Sequence, residues 1–150
     1  LVRHRIASFN QQSQRYVRFS DGVATVKPES VAASEEASAV FDRAIDAAVE
    51  AYGKLLEAGV PAEDARYLLP NAAETKIVIT MNVRELLHFF RLRCCNRAQW
   101  EIRDMAHRML ELARPTAPFI FLDAGAPCVG GACPEGKMTC GNPYPRVTRG

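Results

Sequence analysis

The chain has no apolar run long enough to span a bilayer, and no short apolar stretch of the secretory-signal kind. The cytoplasm is therefore the expected compartment. Net charge is also scarce: 19 Lys and Arg against 17 Asp and Glu leave +2, too little to argue for nucleic acid by itself. Cysteines number five, an odd count that fits no disulfide framework without a secretory context. Cys128, Cys133 and Cys140 lie in a Gly- and Pro-rich tail with no histidine nearby. Three thiols fall short of a closed structural zinc site, so a mobile, reduced tail is expected there and no metal. Internal repeats are absent as well, and acid is missing from the start of the chain until Asp21.

What is present is enough for a packed core, with 48% hydrophobic residues in a length that suits one domain or most of one. The chain begins at Leu1 rather than Met, inside a polar motif. The expectation is a fragment whose upstream residues, a strand or two completing a sheet, lie outside it. Basic residues are mostly arginine and gather at the N-terminus and between positions 84 and 108. Arginine in preference to lysine suits planar, bidentate recognition of phosphate or carboxylate. The stretch Arg3-His4-Arg5-Ile6-Ala7-Ser8-Phe9-Asn10-Gln11-Gln12-Ser13-Gln14-Arg15 offers guanidinium forks and short polar donors to an anion. The bland alternative is a loop whose Ser and Asn side chains bond their own backbone, beside a solvated basic face.

Propensity and punctuation predict short strands over residues 15–19 and 23–26 and a polar linker over 28–34. Ser34-Glu35-Glu36 should open an amphipathic core helix that Gly59 and Pro61 stop. A short helix follows between Pro61 and Pro70, then a β-branched strand over 75–81. Asn82 can cap the next helix, with Glu85 at the reciprocal capping-box position. It should run to about Cys95, and another from Ala98 to about Ala113. Arg84, His88 and Arg91 then share one face of the first of these helices, while Leu86, Phe89, Phe90 and Arg93 lie off that stripe. Strands and helices mix without βαβ regularity, so the expected class is α+β, a mixed or antiparallel sheet packed with helices.

The opening stretch resembles, position by position, the R-H-R-x-x-S-x-N-x-x-S-x-R signature of flavin-dependent thymidylate synthases. Three further elements resemble the same family in the same order. They are Ala65-Arg66-Tyr67-Leu68-Leu69-Pro70, Asn82-Val83-Arg84-Glu85-Leu86-Leu87-His88-Phe89-Phe90, and Leu92-Arg93 followed by Ala98-Gln99-Trp100-Glu101-Ile102-Arg103. A lone R-H-R would mean little, but four ordered elements are specific. The resemblance implies a single α+β domain of that type, with residues 1–122 its C-terminal portion and 123–150 a Cys-, Gly- and Pro-rich tail.

It also implies an activity: reductive methylation of dUMP to dTMP, with methylenetetrahydrofolate as carbon donor, NADPH as reductant and FAD relaying the hydride. By position, Gln11, Ser13, Arg15, Arg66 and Arg93 would bind dUMP, with Arg93 also the catalytic residue. Arg3, His4, Arg5, Asn82, Arg84 and His88 would bind FAD. Arg97 stands where the family often has a flavin-contacting His, and Gln11 where many members have Glu. The family is homotetrameric, with active sites shared between subunits, and needs no cysteine nucleophile. Ser13 has no neighbouring histidine–carboxylate pair, so binding is expected of it rather than attack. A nucleotide dianion calls for arginines, which can also favour charge developing on the pyrimidine carbonyls. The rival from another class is a non-redox nucleotide- or nucleic-acid-binding module using the same arginines.

Overall fold

The computed structural model describes residues 1–15 and 23–145. The strand expected over 15–19 therefore lies almost wholly outside the described residues. Two strands, β1 (Ala7–Gln11) and β2 (Ile77–Met81), pair into a small antiparallel sheet. The pairing continues past β1, where Gln12 donates its backbone N–H to Lys76 at 2.8 Å. Strand β2 is as β-propensity predicts. Strand β1 has little β-branched content, and what forms it is the partner strand. The strand expected over 23–26 is reduced to an isolated bridge between Thr25 and Ala73.

The described chain divides into two compact units. One comprises residues 10–15 and 23–78 and is dominated by α2 (Glu35–Glu57), preceded by the single turn α1 (Glu29–Ala32) and followed by α3 (Ala62–Ala65). Ser34 caps α2 by accepting from Ala37 N–H at 3.2 Å, and two acidic residues occupy the first turn, as the sequence predicts. Gly59 takes φ of 83°, the left-handed conformation that lets the chain leave the helix. The core of this unit is thin: within α2 only Tyr52 is fully buried, and Val40 is exposed. The 28–34 segment, expected as a linker, holds α1 because Pro28 can start a helix turn but not continue one.

The other unit comprises Leu1–Phe9 and residues 79–145. It contains α4 (Val83–Arg93), α5 (Trp100–Ala113) and the short α6 (Pro118–Phe121). Asn82 caps α4 by accepting from Glu85 N–H at 2.9 Å. Gln99 caps α5, accepting from the N–H groups of Glu101 and Ile102, so that helix starts two residues later than its pattern predicts. Phe89, Phe90, Cys94, Ala106, Leu110 and Phe121 form its core, with Phe90 meeting the rings of Phe89 and Phe121 edge to face.

The first part of the segment expected to be a mobile tail is packed, whereas residues 134–143 are exposed. Ala124, Ala126 and Cys128 join the core, and Tyr144 is tied in by three hydrogen bonds. Tyr144 N–H donates to Cys128 Sγ at 3.3 Å, while its hydroxyl meets Asn96 Oδ1 at 2.7 Å and His107 Nε2 at 3.0 Å. Small residues allow this close packing even though they form little regular structure. Replacing Phe90 with Ala should cost about 3–5 kcal/mol of stability in chemical denaturation, the usual penalty for emptying a fully buried aromatic site.

Candidate functional site

The resemblance-derived residues fall into two groups, each within one unit. In the unit built around α2, Arg15 binds the carboxylate of Glu63 through Nε at 3.1 Å and Nη2 at 2.8 Å. Arg66 donates from Nε to the backbone carbonyl of the same Glu63 at 2.9 Å. Ser13 Oγ accepts from Arg15 N–H at 3.2 Å. Arg15 and Arg66 therefore converge on Glu63, with Ser13 bonded to the Arg15 backbone, whereas Gln11 stands apart and donates to Thr75 Oγ1 at 3.2 Å. The Arg15–Glu63 pair is about half exposed on both sides. It contributes little to stability and can be exchanged for another anion at small cost.

The second group is built on the N-terminal face of the chain and α4. His4 is buried although its neighbours Arg3 and Arg5 are exposed. Its Nδ1 lies 3.0 Å from Glu85 Oε1, and its Nε2 lies 3.2 Å from Arg93 Nε. A guanidinium Nε always carries its proton and can only donate. His4 Nε2 is thus the acceptor, and the ring proton sits on Nδ1, donated to the Glu85 carboxylate. That fixes a neutral ring in one tautomer. Burial, the chief cause, pushes the His4 pKa below its ordinary 6.5, aided by the charge of Arg93 and by His88, and opposed by Glu85. The His4 ring meets that of His88 at 5.7 Å and that of Phe89 at 5.1 Å between centroids.

Glu85 was expected to reach back to the Asn82 backbone as a capping box. Its side chain instead turns inward to His4, so only half of that box forms. Sequence reasoning gave Glu85 no part in a site. The available signal was an acid four residues before Phe89, on the apolar side of a basic helix. Arg84, His88 and Arg91 share an exposed face, as helical spacing predicts. Arg3, Arg5, Arg84 and Arg91 show no side-chain partner among the described residues, which leaves their charge available to a ligand.

Arg93 also lines a cleft of about 280 Å³ with Arg91, Arg97, Cys95, Pro127 and Glu135. Three arginines thus line one small space. Arg97 is partly committed, since its Nη1 meets Glu135 Oε2 at 3.3 Å and the Met138 carbonyl at 2.8 Å. Arg93 spends only its Nε on the protein, so its two Nη groups have no partner among the described residues. Cys94 is not a candidate nucleophile, because burial pushes its thiol pKa up to about 11. Among the described residues no three of His, Cys, Asp and Glu converge to hold a metal ion. None of the helices there is long and apolar enough to cross a membrane.

The His4 arrangement has a pH signature. Because its folded pKa lies below 6.5, the folded chain binds fewer protons than the unfolded chain just under that pH. The stability it contributes is complete above about 6.5 and declines as pH falls from there through the folded pKa. A proton NMR titration of the His4 ring should show a midpoint below 6.5, and a midpoint above that value would contradict a shift dominated by burial.

A family model described as "Thymidylate synthase complementing protein" matches residues 1–119. The chain is 63% identical over 142 residues to a flavin-dependent thymidylate synthase of Geobacter sulfurreducens, covering 94% of this chain and 61% of that protein. It is 46% identical over 157 residues to one of Clostridium tetani, covering 94% and 63% respectively. For one of Thermococcus onnurineus the identity is 48% over 146 residues, covering 92% and 60%. The chain thus spans about three-fifths of the length of these curated relatives. With the four ordered motifs in place and the family model matched over most of the chain, the chain belongs to the thymidylate synthase complementing protein family.

Proposed function

We propose that the full-length protein is a cytoplasmic flavin-dependent thymidylate synthase of α+β fold, converting dUMP to dTMP with methylenetetrahydrofolate and NADPH. The observation that carries this reading is the 63% identity to the Geobacter sulfurreducens enzyme across 94% of the chain. The arginine geometry supports it independently of sequence likeness. Residues 1–122 are then the C-terminal portion of the catalytic domain and 123–150 its tail. The proposed assembly is a homotetramer whose subunits share active sites.

Arg93 is the residue we assign to catalysis. Arg93 lines a cleft with Arg91 and Arg97, and its Nη groups, without a partner among the described residues, can meet a nucleotide and stabilise negative charge developing on a pyrimidine carbonyl. Gln11, Ser13, Arg15 and Arg66 are assigned to dUMP on the same family pattern. For Arg15 this requires an exchange of Glu63 for the nucleotide, which the exposure of that pair permits.

The chain's residues also suit FAD, a dianionic dinucleotide. Arg3, Arg5 and Arg84 are exposed cations without a side-chain partner among the described residues, as a diphosphate requires. His88 is exposed beside them in sequence pattern, and Asn82 stands at the N-terminal end of α4, where backbone N–H groups attract an anion. His4 differs from the rest of this set: it is buried, so its bearing on the flavin passes through the residues it holds. When bound, FAD would supply the hydride chemistry; the protein's part is binding, orientation and electrostatic field.

The decisive assay is tritium release from 5-labelled dUMP by the full-length protein with FAD, NADPH and the folate. Release that depends on all three is expected, and a colourless protein that releases none would refute the assignment. At residue level, Arg93→Ala should weaken dUMP roughly tenfold or more, the worth of one charge-assisted contact, while FAD stays bound. Arg84→Ala should weaken FAD by a similar factor, measured by flavin fluorescence, and leave dUMP unchanged once the flavin site is saturated.

A further inference from the structure

Glu85 is a buried charged residue near this site that the family's motif pattern leaves without a task. It is also one of two buried polar residues among those described, the other being His4. A carboxylate in that position is unfavourable unless it is hydrogen-bonded, and the Nδ1–H of His4 satisfies it at 3.0 Å. The consequence runs onward. With its proton committed to Nδ1, His4 can offer only a lone pair at Nε2, and Arg93 Nε meets that lone pair at 3.2 Å.

We propose that Glu85 is a positioning residue for nucleotide binding: it holds His4 as the Nδ1–H tautomer, and His4 holds Arg93 by its Nε edge, with both Nη groups presented to the arginine-lined cleft. The proposal rests on the reading of Arg93 as a dUMP ligand. Its physical content is preorganisation. A guanidinium is planar, so anchoring Nε restricts the orientation of the whole fork. An arginine already held in place loses less conformational freedom on meeting its ligand than one that is free.

Removing the carboxylate has a defined effect. His4 is then free to carry its proton on Nε2, where it would face the Arg93 Nε–H donor to donor. That arrangement is repulsive, and Arg93 must leave it. A purely structural role for Glu85 would destabilise the fold without this specific link to Arg93, and the link is what the experiment reads.

The test uses the full-length protein loaded with FAD, in the wild type, Glu85→Gln, Glu85→Leu, Arg93→Ala and the Glu85→Leu/Arg93→Ala pair. Calorimetric titration gives dUMP affinity, and ¹⁵N spectra of labelled His and Arg give the His4 tautomer and the Arg93 Nε–H. The glutamine carbonyl can still accept from Nδ1–H, so Glu85→Gln should keep the tautomer and stay within about threefold of wild-type affinity. Glu85→Leu should lose the tautomer and weaken dUMP roughly tenfold, and should add nothing further on an Arg93→Ala background.

Full affinity in Glu85→Leu, a loss that adds to that of Arg93→Ala, or a wild-type His4 protonated on Nε2 would each overturn the proposal. Should Glu85→Leu not fold, the wild-type and Glu85→Gln ring spectra and affinities carry the test by the same criteria. Unchanged dUMP affinity in Arg93→Ala would overturn the ligand assignment beneath the proposal, and the proposal with it. An Arg93→Ala loss without a Glu85→Leu loss overturns the proposal alone.

Discussion

His4 has two ring nitrogens, and the arrangement around α4 depends on both being engaged at once. One donates to a carboxylate that could not otherwise sit in a buried position, and the other accepts from an arginine that could not otherwise be held by its inner edge. The ring itself lies against Phe89, so the polar chain Glu85–His4–Arg93 is assembled directly on the hydrophobic core. Charge and packing are therefore not separable here. The core sets where the ring stands, the ring sets its proton, and the proton decides what Arg93 can do.

Around that chain, the protein places cations and commits them unequally. Arg97 is tied to Glu135 and to the Met138 carbonyl, while Arg91 and the Nη groups of Arg93 have no side-chain partner among the described residues. The tail supplies part of this order. Tyr144 binds Asn96 and His107, and Asn96 in turn donates to the Asn142 carbonyl at 2.8 Å. The loop between α4 and α5 is thereby fastened next to the arginines it follows in sequence. Cys94 and Cys128 serve as packing groups within that core, consistent with a thiol whose pKa burial has raised.

Much of this was legible in the sequence, because several signals were local. The Ser34 and Asn82 caps, the Gly59 exit and the exposed Arg84–His88–Arg91 face each depend on neighbours within a turn or two. Strand β1 was missed since Ala7–Gln11 has weak intrinsic preference and forms on a partner nearly seventy residues away. The inward turn of Glu85 was missed for the same reason: a capping box is a local expectation, and a buried histidine from the start of the chain outcompetes it. His4 illustrates the limit of motif reading. Flanked by two exposed arginines, it reads with them as a flavin contact, and only the fold shows that it is buried. The tail's small residues and prolines gave no periodic pattern, yet small side chains are what permit its close packing on α5.

In the proposed role, Arg93 meets the nucleotide while still held from behind by His4. A crystal structure of the full-length protein with FAD and dUMP tests it most directly. Arg93 Nη groups are expected within hydrogen-bonding distance of dUMP, with Nε still on His4 Nε2 and Glu85 still on His4 Nδ1. A nucleotide bound with Arg93 swung away from His4, or bound without contact to Arg93 at all, would contradict it.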